Sequence, residues 1–343
     1  MENSFFLVSR SDCERGGIYR YRESRDGFLQ VSFEPLRGSN WITRSPDGQF
    51  LYATYRENDS DQGCAAYRIL SDGRLEYLNR MSSRGSSPCH AAVAPNGKYL
   101  YCANYSSGSI TEFTLSEEGK ITGIKNLICH EGSGPRKDRQ ECAHTHYTGF
   151  TPDNRFLAVT DLGTDEINLY PWTSDGLSAD QGKSFHVPPG SGPRHLVFSG
   201  SGTLAYLVNE LGNNIMTLSY DPSGEFEILN TVSTLPEGFC GKTKAAAIRL
   251  SPDEKFLYTS NRGHESVVFY RLDPETRFPE YSGFAAAGGI GPRDINYLPG
   301  FRKFLAADEF SDVAVIYVVN QEDGSLRQNG EVIRVPAPLA VFW

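Results

Sequence analysis

Ser251-Pro252-Asp253-Glu254-Lys255-Phe256-Leu257-Tyr258-Thr259-Ser260-Asn261 is the stretch that decides the fold. A proline followed by Asp and a further polar residue, set between two apolar runs, is a hairpin turn with a mechanism. The run after it ends on a short polar amide. The same grammar recurs at Ser45-Pro46-Asp47-Gly48, Ala94-Pro95-Asn96-Gly97, Thr151-Pro152-Asp153-Asn154, Ser199-Gly200-Ser201-Gly202 and Leu298-Pro299-Gly300-Phe301. From one copy to the next, the second turn residue recurs after 49, 57, 48, 52 and 47 residues. A short apolar segment such as His195-Leu196-Val197-Phe198 precedes each turn. A third run follows in each repeat, among them Ile110 to Leu115 and Val267 to Leu272. Then come a second turn, as at Ser71-Asp72-Gly73, and a more polar fourth run. Four short strands in a repeat of about 50 residues make the blade of a β-propeller.

Six turn motifs are visible, and the N-terminus supplies a truncated seventh unit. Phe5 to Ser9, Gly17 to Tyr21 and Phe28 to Phe33 read as its second, third and fourth strands. The missing first strand is expected from Pro338-Leu339-Ala340-Val341-Phe342-Trp343, which resembles Pro193-Arg194-His195-Leu196-Val197-Phe198. The 343 residues then average 49 per blade. The sequence therefore predicts an all-β, seven-bladed propeller of four antiparallel strands per blade, closed by the C-terminal strand joining the N-terminal blade. Residues 1–343 form one domain in this reading, and no stretch carries sustained helical periodicity with caps.

Bulk properties narrow the function. A net charge of −9 and a pI near 5.4 argue against a nucleic-acid or anionic-membrane surface. No apolar run approaches the roughly 18 residues that span a bilayer. Met1-Glu2-Asn3-Ser4 offers no basic segment ahead of Phe5, so no signal peptide and a cytoplasmic location are expected. Seven cysteines without a C-x-x-C pair predict neither a disulfide framework nor a zinc site.

Propeller blades run their first strand along a central channel, so equivalent positions form rings. Six residues before the turn marker stand Asn40, Cys89, His146, Arg194, Ala246 and Arg293. Nine after it stand Tyr55, Asn104, Asp161, Asn209, Asn261 and Asp308, and ten after it Arg56, Tyr105, Leu162, Glu210, Arg262 and Glu309. The Asn/Asp ring reads mostly as structural, because short polar side chains at strand ends bond neighbouring backbone. The other two rings mix His, Arg and Glu where the fold asks for nothing in particular. His146, Arg194, Glu210, Arg262 and Arg293 are expected to converge near the channel mouth, either as salt bridges stapling blades or as an anion-binding catalytic pocket. Arginine forks suit carboxylate or phosphate, and His and Glu can act as acid or base. The long segment Glu131 to Glu141, rich in Gly, Arg and Lys, is expected at the pocket rim. His90, His195 and His264 flank the same region and read singly as hydrogen-bonded structural residues.

Arg139-Gln140 with His144-x-His146, Gly192-Pro193-Arg194-His195, Asn209-Glu210-Leu211 and Ser260-Asn261-Arg262-Gly263-His264 together resemble the seven-bladed propeller lactonase family, over nearly the whole chain. That family includes the propeller-type 6-phosphogluconolactonases and the carboxy-muconate lactonizing enzymes. The resemblance implies a metal-independent site without cofactors, with His146, Arg194, Glu210 and Arg262 as its catalytic residues. His144, His195, Arg293, Asn209 and Asn261 are the expected substrate contacts. The chain departs from the family pattern at Ala143, where a proline often stands, and at Ala247, where an acid does. The implied reaction is hydrolysis of a small anionic sugar lactone, 6-phosphogluconolactone foremost. Glu210 or His146 would be the base and the other the acid, with Arg194 and Arg262 on the oxyanion and the substrate's anionic group. A lactonizing cycloisomerase and a non-catalytic binding platform are the alternatives. No G-x-S-x-G elbow is present, so covalent catalysis is not favoured.

Overall fold

The computed structural model describes residues 4–343. The recurrent turn explains itself at atomic level. Ser45 Oγ donates to Asp47 Oδ1 at 2.6 Å and accepts the Phe50 amide at 2.9 Å, so one hydroxyl ties the turn to the strand that follows. Thr151 and Ser251 repeat both contacts with Asp153 and Phe156, and with Asp253 and Phe256. Each turn sends its chain back antiparallel, and the result is a seven-bladed β-propeller.

Blade 1 combines Ser4–Ser9, Gly17–Ser24 and Gly27–Pro35 with Pro338–Phe342. Phe6 pairs with Phe342 and Ser9 with Pro338, so the C-terminal strand lies beside the N-terminal one as the sequence predicted. The other six blades open on inner strands Ile42–Arg44, Pro88–Val93, Thr145–Phe150, Pro193–Phe198, Lys244–Leu250 and Pro292–Tyr297. The described helices are two three-residue 3-10 turns, Ala179–Gln181 and Glu309–Ser311.

Contacts group the chain into two units. One holds the segment up to Pro35, His195–Tyr220 and Phe226–Trp343, which is blades 1, 6 and 7 with most of blade 5. The other holds Leu36–Arg194 and Asp221–Glu225, with blades 2, 3 and 4 and the opening of blade 5. Within the first unit, apolar clusters fill the space between successive blades. Ala247, Tyr258 and Phe269 of blade 6 pack on Ile295, Tyr297 and Phe304 of blade 7. Leu305 and Ile316 of blade 7 pack on Phe5, Leu7 and Val341 of blade 1. Within the second unit, Tyr52 and Cys64 meet Leu100, Cys102 and Phe113, while Tyr101 and Ile110 meet Leu157 and Val159.

A polar device adds to the apolar one. Four residues in the tight turn between a blade's second and third strands sit at positive φ: Asp165 at 59°, Asn213 at 49°, Glu265 at 51° and Asp312 at 53°. Each side chain accepts backbone amides from the segment entering the next blade. Asp165 takes Gly190 and Gly192 at 2.6 and 2.7 Å. Asn213 takes Ala245 at 3.0 Å, Glu265 takes Gly291 at 2.6 Å, and Asp312 takes Ala337 at 2.8 Å. The amides at these four blade entries thereby find acceptors, those of Gly190 and Gly192 away from solvent, and the entry points of the inner strands are fixed.

Candidate active site

Four of the six positions in the ring six residues before the turn marker fall in β-bulges. In blade 4, Thr145 pairs with Asp161 and Tyr147 with Thr160, so His146 is an extra residue in a β-bulge. Cys89 is skipped in the same way between Pro88 and His90, and Arg293 between Pro292 and Asp294. In blade 6, Ala246 and Ala247 together stand against Ser260. A bulge residue owes nothing to the ladder and its side chain is re-aimed, which is why these positions are free to carry His and Arg.

In the second unit, the bulge gathers an aromatic and basic cluster. His146 is buried, with the Tyr105 ring edge-on at 5.6 Å. Tyr105 stacks on His144 at 4.5 Å with an interplanar angle of 10°, and Arg139 donates to its hydroxyl at 3.2 Å. His144 Nδ1 meets the Tyr105 carbonyl at 3.0 Å, which makes that nitrogen the protonated one. The rim segment expected at 131–141 is folded around Gln140. Its amide is wholly buried, donates to the Leu162 carbonyl at 2.9 Å and accepts the Arg136 amide at 3.2 Å. Arg194 is buried at the opening of blade 5's inner strand, and its carbonyl accepts Thr160 Oγ1 at 2.8 Å.

In the first unit, Glu210 and Arg262 come together. Glu210 follows the second strand of blade 5 and Arg262 ends the second strand of blade 6. Arg262 Nη2 lies 2.7 Å from Glu210 Oε2 and also donates to the Ala245 carbonyl at 3.1 Å. Both side chains are shielded, at 13% and 4% exposure, so this is no surface ion pair. Arg293 lies 3.8 Å from Glu309, which Arg10 also approaches at 3.2 Å. His195 is buried in the inner strand of blade 5.

The Asn/Asp ring serves the blades. Asn209 Nδ2 donates to Asn214 Oδ1 at 2.7 Å, and Asn261 Nδ2 to the Thr234 carbonyl at 2.6 Å. Both residues are fully buried. Asp161 accepts the amides of His144, Gly163 and Thr164 and touches His130 Nδ1 at 2.8 Å. Asp308 differs: neither carboxyl oxygen has a partner among the described residues. Burial, with the nearby Glu265 charge, pushes its pKa up to about 8. Two of the flanking histidines are structural. His90 lies between the Trp41 and Tyr147 rings, and His264 bonds Ser266 Oγ at 2.7 Å between Phe239 and Phe284. Ala247 lies in the apolar cluster between blades 6 and 7, where a carboxylate would be stripped of water. The blade 7 equivalent, Asp294, is instead held by Arg249 at 2.7 Å and the Val341 amide at 2.9 Å.

The model of the family described as "Lactonase, 7-bladed beta-propeller" matches residues 7–343. The chain belongs to this lactonase family. It is 32% identical over 308 residues to the 6-phosphogluconolactonase of Bacillus subtilis, covering 89% of this chain and 87% of that one. The structure of a periplasmic gluconolactonase from Pseudomonas aeruginosa superposes with a TM-score of 0.91 at 26% identity, over 98% of each chain. A protein from Lactobacillus plantarum gives a TM-score of 0.91 at 30% identity, covering 100% of this chain and 99% of its own. Among the described residues, no helix is long and apolar enough to cross a membrane.

In this lactonase-family chain, the repeat register points to His146, Arg194, Glu210, Arg262 and Arg293 as candidates, and not to Tyr105 and Glu309. Both occupy the position of Glu210 and Arg262 in their own blades, so the signal was present. Tyr105 orders two histidines at once, and Glu309 holds Arg293. Gln140 carried no such signal, since its role depends on how the rim segment wraps around it.

Proposed function

We propose that this chain hydrolyses a sugar lactone without a metal, with 6-phosphogluconolactone the leading substrate and His146, Arg194, Glu210 and Arg262 as the working groups. The observation that carries the reading is the shielded Glu210–Arg262 pair at 2.7 Å. The fold does not need an ion pair there, since the same position in other blades holds Tyr105 or Leu162. The named activity of the Bacillus subtilis relative supports the same substrate class.

Water adds to the lactone carbonyl as one of Glu210 and His146 removes its proton. The carbonyl oxygen gathers negative charge, which a guanidinium fork of Arg194 or Arg262 stabilises. Collapse breaks the ring C–O bond, and the other member of the acid–base pair protonates the departing oxygen. The product is an open-chain hydroxy acid. The remaining arginine meets the substrate's phosphate or carboxylate, with His144, His195 and Arg293 as further contacts.

The test is hydrolysis above the spontaneous rate on a panel of phosphorylated and plain sugar lactones. Arg194→Ala and Glu210→Gln should each lower turnover by about 10²–10³ while the protein stays folded. Arg194→Lys should also be poor, because a point charge does not reproduce a bidentate fork. Folded variants with near-normal turnover on a lactone that the parent hydrolyses would make these residues blade staples.

A further inference from the structure

We propose that Glu141, Cys142 and His144 form a binding site for a divalent cation of the zinc class, separate from the groups assigned to hydrolysis except for His144. The argument begins with one nitrogen. His144 Nδ1 lies 3.0 Å from the Tyr105 carbonyl, an acceptor only, so it carries a hydrogen. In the neutral ring, Nε2 then presents its lone pair. It points at Glu141 Oε1, 3.2 Å away, and lies 3.8 Å from Cys142 Sγ. A lone pair facing a carboxylate oxygen at 3.2 Å is repulsive unless a proton or a cation lies between them.

The three ligand atoms all lie within 4.8 Å of one another. Zinc bond lengths and a tetrahedral angle put nitrogen and oxygen ligands about 3.4 Å apart, and nitrogen and sulfur about 3.6 Å apart. The observed 3.2 and 3.8 Å need only small side-chain adjustments to match. A histidine whose second nitrogen is held by a backbone carbonyl is the usual form of a metal-ligating imidazole. Three protein ligands leave a fourth position for water or an anion. The cysteine is unbridged, and Glu141 and Cys142 are exposed, so a cation can reach the site.

The backbone that presents the ligands is fixed beforehand. A Cβ on Gly108 would come within 2.5 Å of the Ala143 carbonyl, and one on Gly163 would overlap the Cys142 carbonyl. The segment thus passes between two glycines that leave it no slack. The His144 amide donates to Asp161 at 2.7 Å, and its carbonyl accepts the Leu162 amide at 2.9 Å. Cysteine and histidine spacing did not advertise the site, because Glu-Cys-x-His is not a recognised zinc pattern. Cation binding replaces the Cys142 thiol proton, which is released to solvent.

The test is titration of the reduced full-length chain with cobalt(II), followed by displacement with zinc. One equivalent should bind with a thiolate-to-cobalt charge-transfer band in the near ultraviolet. Cys142→Ser should remove that band and weaken binding at least about 100-fold, since losing even an outer-shell partner costs about 10–100-fold. Glu141→Gln should weaken binding while keeping the band. Both positions are exposed, so circular dichroism should show the variants folded as the parent. No band in the parent would overturn the site and leave a proton between His144 and Glu141. An unchanged band in Cys142→Ser would overturn it too, and would put the metal on another exposed thiol such as Cys13, Cys129 or Cys240.

Discussion

Asp308→Asn tests the account of the blade core through pH. In three sister blades this position holds Asn104, Asn209 or Asn261, so an amide fits the site by the fold's own precedent. Asp308 is fully buried, and its carboxyl titrates near 8 in the folded protein against 3.8 for an ordinary aspartate. The folded state therefore holds the proton more tightly than the unfolded chain does. That contribution is full below the unfolded pKa and is lost as pH rises through the folded one. From pH 5 to pH 9 the loss spans about three units, each worth about 1.4 kcal/mol, or about 4 kcal/mol in all. The amide does not titrate. The stability of the Asp308→Asn variant relative to the parent should therefore be greater at pH 9 than at pH 5 by about 4 kcal/mol. Urea unfolding of both proteins, followed by tryptophan fluorescence across this range, reads the difference directly, because all other titrating groups are shared. Parallel stability curves would refute the reasoning and mean that Asp308 is ionised and compensated in the fold.

Three further outcomes follow from the structure. Arg262→Gln should lower stability in chemical denaturation, by up to about 3–5 kcal/mol, because it removes the buried cation 2.7 Å from the Glu210 carboxylate, and adding Glu210→Gln should recover part of the loss. Exhaustive chelation should leave lactone turnover unchanged, and loss of activity restored by a divalent ion would contradict the proposed chemistry. Removing residues 338–343 should lower stability by at least about 4 kcal/mol, since Leu339 and Val341 are each 2% exposed and worth about 2 kcal/mol apiece. A thermal melt unchanged from the parent would show that the strand adds nothing to blade 1.

The architecture was legible because its rule is local and repeated. A turn that ties its own hydroxyl to the next strand leaves the same short signature each time, as at Ser45, Thr151 and Ser251. The C-terminal strand was legible because Pro338 to Phe342 repeats the pattern of another inner strand. The bulge was not legible as such, yet its consequence was, since counting back from the turn lands on His146 and Arg293 in each case. What the sequence hid depends on contacts between segments far apart in the chain. Nothing near Asp308 in the sequence distinguishes it from Asp161, yet one carboxylate takes three backbone amides and the other takes none. The Ala247 departure likewise acquired its meaning only from the apolar cluster around it.

The pairing of Pro338–Phe342 with Ser4–Ser9 also sets an order of events on the ribosome. Three strands of blade 1 are made within the first 35 residues, but their fourth partner is made about 300 residues later. At about 5–20 residues per second, that interval is roughly 15–60 seconds. Throughout it, Phe5, Phe6, Leu7 and Val8 have a hydrogen-bonding edge with no strand to fill it. Such an edge invites pairing with another nascent chain. Expression yield should therefore depend on translation speed and chaperone supply more than the finished protein's stability would suggest.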